Sequence, residues 1–363
     1  MKKSLFIMAL GAIALTSCSQ DEVIEVQKDA ITFSTVGDNV GRATETSTNS
    51  IDEFKVWGVL TQDGGTNYYT YINGLECTRA ETGTQWLNHN SGYYWPEGTM
   101  DFYAVSPNSL TATLGTASVL ANNQATISDV EIAANATTQT DILYAVATNQ
   151  VKQTTSVDLN FQHALTQVSF KVKVAETFKQ SVKVVVNSIS VKNLQYKGDY
   201  SLPKTGSTND DNIGSWTMDA DIQDFSVSVG QTLNYTYNEL NPAAVETATI
   251  PSMFLMPQGL AASTPAVWTS GGCFVLDVDV YAQTTEGTEI KLVDELTYVP
   301  YTFNWEEGNH YTYTFIYDEG GNGGLKPDGT EQLLKIKFDV DVDEFADQAE
   351  VEIPVQATPV VNP

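Results

Sequence analysis

Five acidic residues near the carboxyl end, Asp339, Asp341, Asp343, Asp347 and Glu350, stand at the first, third, fifth, ninth and twelfth places of a twelve-residue register. In calcium-binding loops that spacing collects carboxylate oxygens around one ion. Such loops need glycine at the sixth place for their sharp turn, and Glu344 stands there instead. The flanks also read as strand and not helix, so a solvated acidic strand face explains the pattern better and no metal is expected. His89, His163 and His310 are the chain's three histidines, and none has HExxH spacing. No GxSxG elbow occurs, and the glycine run Gly320–Gly324 lacks the lysine-serine ending of a phosphate loop. Carboxylates suited to glycoside cleavage are too abundant to single out a pair. These residues point to no enzyme and no cofactor. Aromatic side chains offer a different chemistry: Trp86, Tyr94 and Trp95, with Tyr68, Tyr69, Tyr71 and Tyr93, form a candidate glycan platform. The same density of rings also builds sandwich cores and edges.

Cys18 is the residue whose setting is most specific. Lys2 and Lys3 precede an apolar run from Leu5 to Leu15, and the junction Leu15-Thr16-Ser17 ends on the cysteine. A basic start, a short apolar stretch and a small-residue junction make a secretory signal. The run falls well short of the ~20 apolar residues a spanning helix needs. Its junction resembles the bacterial lipobox, which implies removal of residues 1–17 and lipid attachment to the Cys18 thiol. The expected lipid holds the chain to a membrane, and 18–29 forms a charged tether.

Composition sets the class of the remainder. With 363 residues, the chain has room for two domains at ~150 residues each. Its formal charge of −27 leaves no clustered lysine and arginine for phosphate contacts, which argues against nucleic acid as a partner. Cys77 and Cys273 lie too far apart in sequence to be read as a disulfide scaffold.

From Ala30 onward, period-two alternation and enrichment in Val, Thr, Tyr and Phe predict an all-β protein. Expected strands include 31–35, 54–60, 67–72, 100–105, 141–147, 157–161, 166–174 and 182–194. Further ones are 225–229, 232–237, 254–257, 274–281, 289–293 and 310–317. Many short strands between turn signals predict β-sandwiches or barrels. The polar run 149–156 is the expected boundary between an amino-terminal sandwich over 30–155 and a carboxyl-terminal one over 156–330. Segments 37–50, 203–214 and 319–329 read as loops, the last leading to a separate piece over 331–363.

Several ordered patterns resemble the fimbrillin-like family of Bacteroidales-type bacteria, subunits of protease-assembled (type V) pili. They are Ile31-Thr32-Phe33, Gly41-Arg42-Ala43-Thr44, Phe54-Lys55-Val56-Trp57-Gly58-Val59, and Tyr94-Trp95-Pro96 leading to Phe102-Tyr103-Ala104. Asp141-Ile142-Leu143-Tyr144-Ala145 and Leu159-Asn160-Phe161-Gln162-His163-Ala164-Leu165 follow, then Leu255-Met256-Pro257-Gln258 and Trp305-Glu306-Glu307-Gly308-Asn309-His310-Tyr311-Thr312-Tyr313. The resemblance implies two transthyretin-like β-sandwiches, a lipoprotein precursor exported to the surface of the outer membrane, no catalysis, and polymerisation of shaft subunits by strand exchange. It also favours a structural role for Tyr94 and Trp95.

In that family a surface arginine-specific protease cuts after an arginine that follows the first strand, and a strand of the next subunit fills the vacated groove. Only Arg42 and Arg79 are present, and Arg42 lies in the loop that composition marks as exposed. Cutting there releases residues 18–42 and makes Ala43 the new terminus. The candidate donor is the stretch 333–342, where Ile336, Phe338, Val340 and Val342 alternate with charged residues. Alternatively that stretch is the last strand of the second sandwich, and 349–356 is left as donor. The combination favours a shaft subunit that meets other pilus subunits and a host or bacterial receptor. The rival is a monomeric outer-membrane glycan-binding lipoprotein.

Overall fold

The computed structural model describes residues 30–35, 51–62, 67–79, 86–88, 92–114, 125–175, 181–204, 213–236, 247–284, 286–318 and 323–344. Cys18, Arg42, Ala43 and 349–356 lie outside them. The first half runs through β1 (Phe33–Thr35), β2 (Glu53–Gln62), β3 (Asn67–Arg79), β4 (Trp86–Asn88) and β5 (Thr99–Ser106). It continues with β6 (Ala112–Leu114), β7 (Ala125–Glu131), β8 (Leu143–Gln150), β9 (Val157–Leu159) and β10 (Gln162–His163). Next come β11 (Thr166–Val174), β12 (Val182–Gln195), β13 (Lys197–Ser201), β14 (Ser215–Met218), β15 (Ile222–Tyr235), β16 (Thr247–Leu255) and β17 (Gly259–Leu260). The chain closes with β18 (Cys273–Gln283), β19 (Glu289–Val293), β20 (Thr297–Pro300), β21 (Phe303–Asn304), β22 (Asn309–Asp318), β23 (Gly323–Leu325) and β24 (Glu331–Glu344). The protein is all-β, as its alternation predicts.

A six-stranded sheet in the order β10-β8-β5-β2-β3-β4 carries the amino-terminal core on one face. Phe54, Val56, Leu60, Ile72, Met100, Phe102 and Phe161 are buried there with Ile31 and Phe33. The other face of this sheet buries Trp57, Val59, Tyr103 and Val105 in a second, larger core. A strand covered on both sides cannot show strict alternation, which is why Val56-Trp57-Gly58-Val59-Leu60 is buried without a break. The carboxyl-terminal sheet runs β15-β12-β18-β20-β23-β24-β22-β11-β16, with β19 also on β18. Here β11 shows the clean case, with Val168, Phe170, Val172 and Val174 buried and Ser169, Lys171 and Lys173 turned outward.

Sheet pairing crosses the boundary expected at 155/156. Past the polar run the chain returns to the amino-terminal half, where β9 pairs with β1 and β10 with β8, before β11 enters the second sheet. A four-stranded sheet, β14-β13-β7-β6, joins strands from both halves. Polarity marked solvent-exposed backbone at 149–156, and exposure alone does not mark a domain junction.

Gly198 is where this joining sheet is tightest. A Cβ there would lie 2.4 Å from the Thr217 carbonyl oxygen of the neighbouring strand, so backbone and not a flexible side chain would have to yield. Gly198→Ala is therefore expected to cost about 1–3 kcal/mol, read as a lowered midpoint in denaturant unfolding.

Candidate functional site: the seat of the first strand

Alternation places Ile31 and Phe33 on one side of the first strand and Thr32 and Ser34 on the other. Ile31 and Phe33 are 1 % and 5 % exposed, which makes this six-residue piece a core element despite its length. The Phe33 ring meets Phe102 edge-on at 5.4 Å and Phe54 at 6.2 Å, and Phe54 in turn lies 5.5 Å from Phe161. Burying two such side chains is worth roughly 1.5–3 kcal/mol each.

Backbone pairing around them is sparse. β1 runs parallel to β9, with Phe33 opposite Val157 and Thr35 opposite Leu159, and the Val157 N–H donates to the Thr32 carbonyl at 2.8 Å. On the other side the Ile31 N–H donates to the Tyr93 carbonyl at 2.8 Å, and Ala30 bridges Tyr94. Outward side chains add Ser34 to Asp158 and Thr32 to Ser156. The strand thus fills an apolar trough whose walls are β9 and residues 93–94, with Tyr71 fixing the second wall through its hydroxyl to the Tyr94 carbonyl at 2.8 Å. The arrangement is a seat of backbone hydrogen bonds and apolar side chains. It holds an extended segment that offers apolar side chains at every second position.

The candidate donor is placed differently from a free tail. β24 lies beside β22 in antiparallel register from Asn309↔Glu344 to Asp318↔Lys335, and its other edge meets β23. Ile336 is 2 % exposed, and Phe338 packs on Tyr301 at 4.8 Å, Phe315 at 5.3 Å and Tyr313 at 5.5 Å. Val340 is half-buried and Val342 is 50 % exposed, so burial fades toward the end of the strand. The stretch 331–344 is therefore not a separate piece: it belongs to the carboxyl-terminal sheet, as the second sequence alternative has it. β23 itself falls inside 319–329, which was expected to be loop. The calcium register fails for the same reason, because Asp339–Glu344 is extended strand where a binding loop would have to turn.

The candidate glycan platform does not form one surface. Tyr94 is 44 % exposed, but Trp95 is 8 % exposed and meets Phe102 edge-on at 6.0 Å inside the amino-terminal core. A ring face packed in the core cannot stack on sugar. The side chain of Trp86 lies outside the described residues. Cys77 and Cys273 are both buried and are not joined to each other in a disulfide, and burial pushes each thiol up to about 12. His163 is a buried partner of Asp141 at 2.6 Å, and His310 contacts Ser169 at 2.7 Å. Among the described residues no group of three or more His, Cys, Asp or Glu could hold a metal ion. Sequence reasoning found the first strand and expected a strand over 157–161, but not that the two pair or that Tyr93 and Ser156 flank the first strand, because those contacts run through backbone and small polar groups that carry no periodic signal.

Comparison with known proteins agrees with this architecture. A fimbrial protein from Bacteroides vulgatus superposes with a TM-score of 0.60 at 16 % identity, covering 88 % of this chain and 100 % of its own. Putative cell adhesion proteins from Bacteroides ovatus and Bacteroides uniformis also match, at 18 % and 14 % identity and TM-scores of 0.44 and 0.45. Each covers 88 % of this chain, over 97 % and 98 % of its own length respectively. No curated protein matches. The model of the fimbrillin-like family matches residues 41–333, a span that includes the trough, the joining sheet and nearly all of the carboxyl-terminal sheet. With a two-core all-β fold and a family match over most of its length, this chain belongs to the fimbrillin-like family, a structural and adhesive family and not one of enzymes.

Proposed function

We propose that the chain is a shaft subunit of a surface pilus, exported as a lipoprotein on Cys18, cut after Arg42 and polymerised by strand exchange. The observation that carries this reading is the first strand: it supplies two core side chains yet is held by a three-residue parallel ladder and one bridge. Such a segment is separable from the rest of the sandwich at low backbone cost. Its loss opens a trough lined by Phe54, Phe102 and Phe161 and edged by unpaired backbone, which is the requirement for β-augmentation. Intact, the strand protects that edge against indiscriminate pairing.

The donor of the next subunit is assigned to 349–356, where Val351, Ile353 and Val355 alternate with Glu350 and Glu352. Ile336, Phe338, Val340 and Val342 would serve only if β24 left its own sheet, and the burial of Ile336 and the ring contacts of half-buried Phe338 oppose that. The lipid on Cys18 is then a temporary tether that ends with cleavage by an arginine-specific protease at the cell surface.

Mass spectrometry of the amino terminus on surface-exposed protein tests the proposal directly. Ala43 is the expected first residue, and Arg42→Ala is expected to abolish that terminus together with detergent-resistant ladders on gels. Acylated Cys18 on all of the surface protein would remove the shaft reading.

A further inference from the structure

Glu307 stands at the apex of the turn between β21 and β22, two positions after Trp305, and its carboxylate is pressed into the amino-terminal half of the molecule. Its Oε1 accepts from the Tyr144 hydroxyl of β8 at 2.8 Å and from the Tyr200 hydroxyl of β13. One oxygen atom therefore ties the six-stranded sheet and the joining sheet to the turn that leads into β22 of the carboxyl-terminal sheet. The surroundings lock this arrangement. The Tyr144 hydroxyl lies 3.1 Å from Gln162, the Gly214 N–H donates to the Tyr200 hydroxyl at 3.2 Å, and the Tyr144 and Tyr200 rings lie 5.2 Å apart. Trp216 packs on Tyr200 at 5.0 Å and donates its indole N–H to the Ala164 carbonyl, while the Gly308 N–H reaches the Leu165 carbonyl.

We propose that Glu307, Tyr144 and Tyr200 form a proton-operated fastening that sets how tightly the two halves of the subunit hold together. The neutral carboxyl fits this dry junction. The carboxylate must keep a full charge away from water with only neutral donors to offset it. Burial raises the Glu307 carboxyl to about 7, against the opposing hydrogen bonds from Tyr200, Tyr144 and the Gly214 backbone. The two tyrosines are themselves pushed above the ordinary phenol range by burial and by the Glu307 charge, so their hydroxyls stay protonated and remain donors. From β10 the neutral Gln162 faces the site, while the neighbouring His163 ring is engaged with Asp141. No charged side chain among the described residues contributes to the shift.

The direction of the pH effect follows. A carboxyl raised in the folded state holds its proton where the unfolded chain has lost it, so its stabilising share is full below about pH 4.3 and is lost as pH rises through about 7. The folded-to-unfolded ratio is expected to fall on the order of a hundredfold over that range from this group alone. Repulsion among the other carboxylates of an acidic chain also varies with pH, and Glu307→Gln separates the two, because glutamine keeps an acceptor for both tyrosines and cannot titrate. Denaturant unfolding of the full chain at pH 5 and pH 8 should show a smaller loss of stability with rising pH in the E307Q variant than in the wild type. Hydrogen exchange of peptides covering 162–165, 214–216 and 305–309 should be faster in the wild type than in E307Q at pH 8 and equal at pH 5, each compared at matched intrinsic rates. Parallel unfolding profiles, or junction exchange that does not differ at pH 8, would overturn the proposal. If E307Q fails to fold, Tyr144→Phe, which removes one hydroxyl, should move the wild-type transition to higher pH, and an unmoved transition would count against the fastening.

Discussion

Phe33→Ala in the uncut chain is expected to lower the stability of the amino-terminal core by about 3–5 kcal/mol, among the largest single-residue losses available in that half. The ring is 5 % exposed and packs against both Phe54 and Phe102, so its removal takes away transfer free energy and leaves a cavity that these two neighbouring rings cannot close. The strand cannot slip by one residue to compensate, because that would turn the polar Thr32 and Ser34 into the core. Unfolding in guanidinium, followed through the near-ultraviolet aromatic signal, checks the value. A midpoint equal to that of the native chain would mean that the first strand is not seated in solution. The same substitution also distinguishes precursor from product. If residues up to Arg42 are removed before assembly, Phe33→Ala weakens the monomeric precursor and leaves the finished polymer as resistant as the native one.

Much of this was legible beforehand, and the gaps have identifiable causes. β11 matched its expected span because Val168, Phe170, Val172 and Val174 alternate with two lysines, so one face can only be core. The first strand was visible for the same reason. β15 was expected as two strands broken near Gly230, whereas the chain passes through at a positive φ of 63° and continues to Tyr235. A left-handed glycine inside a strand bends it without ending it. The joining sheet left no signal because its strands are short and polar: Lys197-Gly198-Asp199-Tyr200-Ser201 has one ring to bury, and Tyr200 is buried only through partners on other elements. Trp95 was ambiguous in principle, since cores and sugar platforms use the same rings and only the path of the chain decides which way they face. Glu307 was hidden among 45 acidic residues, and nothing in Trp305-Glu306-Glu307-Gly308 tells which of the two carboxylates turns inward.

A paired substitution in β24 decides whether the terminal strand is a standing part of the subunit or a segment held in reserve. Phe338→Ala is expected to cost about 2–3 kcal/mol in the monomer, somewhat below a fully enclosed phenylalanine because the ring is half-buried. It closes an aromatic cluster of Phe274, Tyr301, Tyr313 and Phe315, with ring separations of 4.8 to 5.7 Å. Val342→Asp, four residues further along the same face, is expected to cost under about 1 kcal/mol, since half of Val342 is already in water. A tail awaiting exchange would give neither loss in the monomer, and both substitutions would then act only on polymer formation. A strand integral to the sheet gives the steep gradient from Phe338 to Val342 in monomer unfolding, with polymerisation impaired only in proportion to lost fold. The gradient follows from where β24 sits: its ladder with β22 runs along ten residues, while apolar cover thins toward Glu344. If the gradient is found, exchange must be sought beyond residue 344, and Val351→Asp or Ile353→Asp should then block polymers while leaving the monomer's unfolding midpoint unchanged.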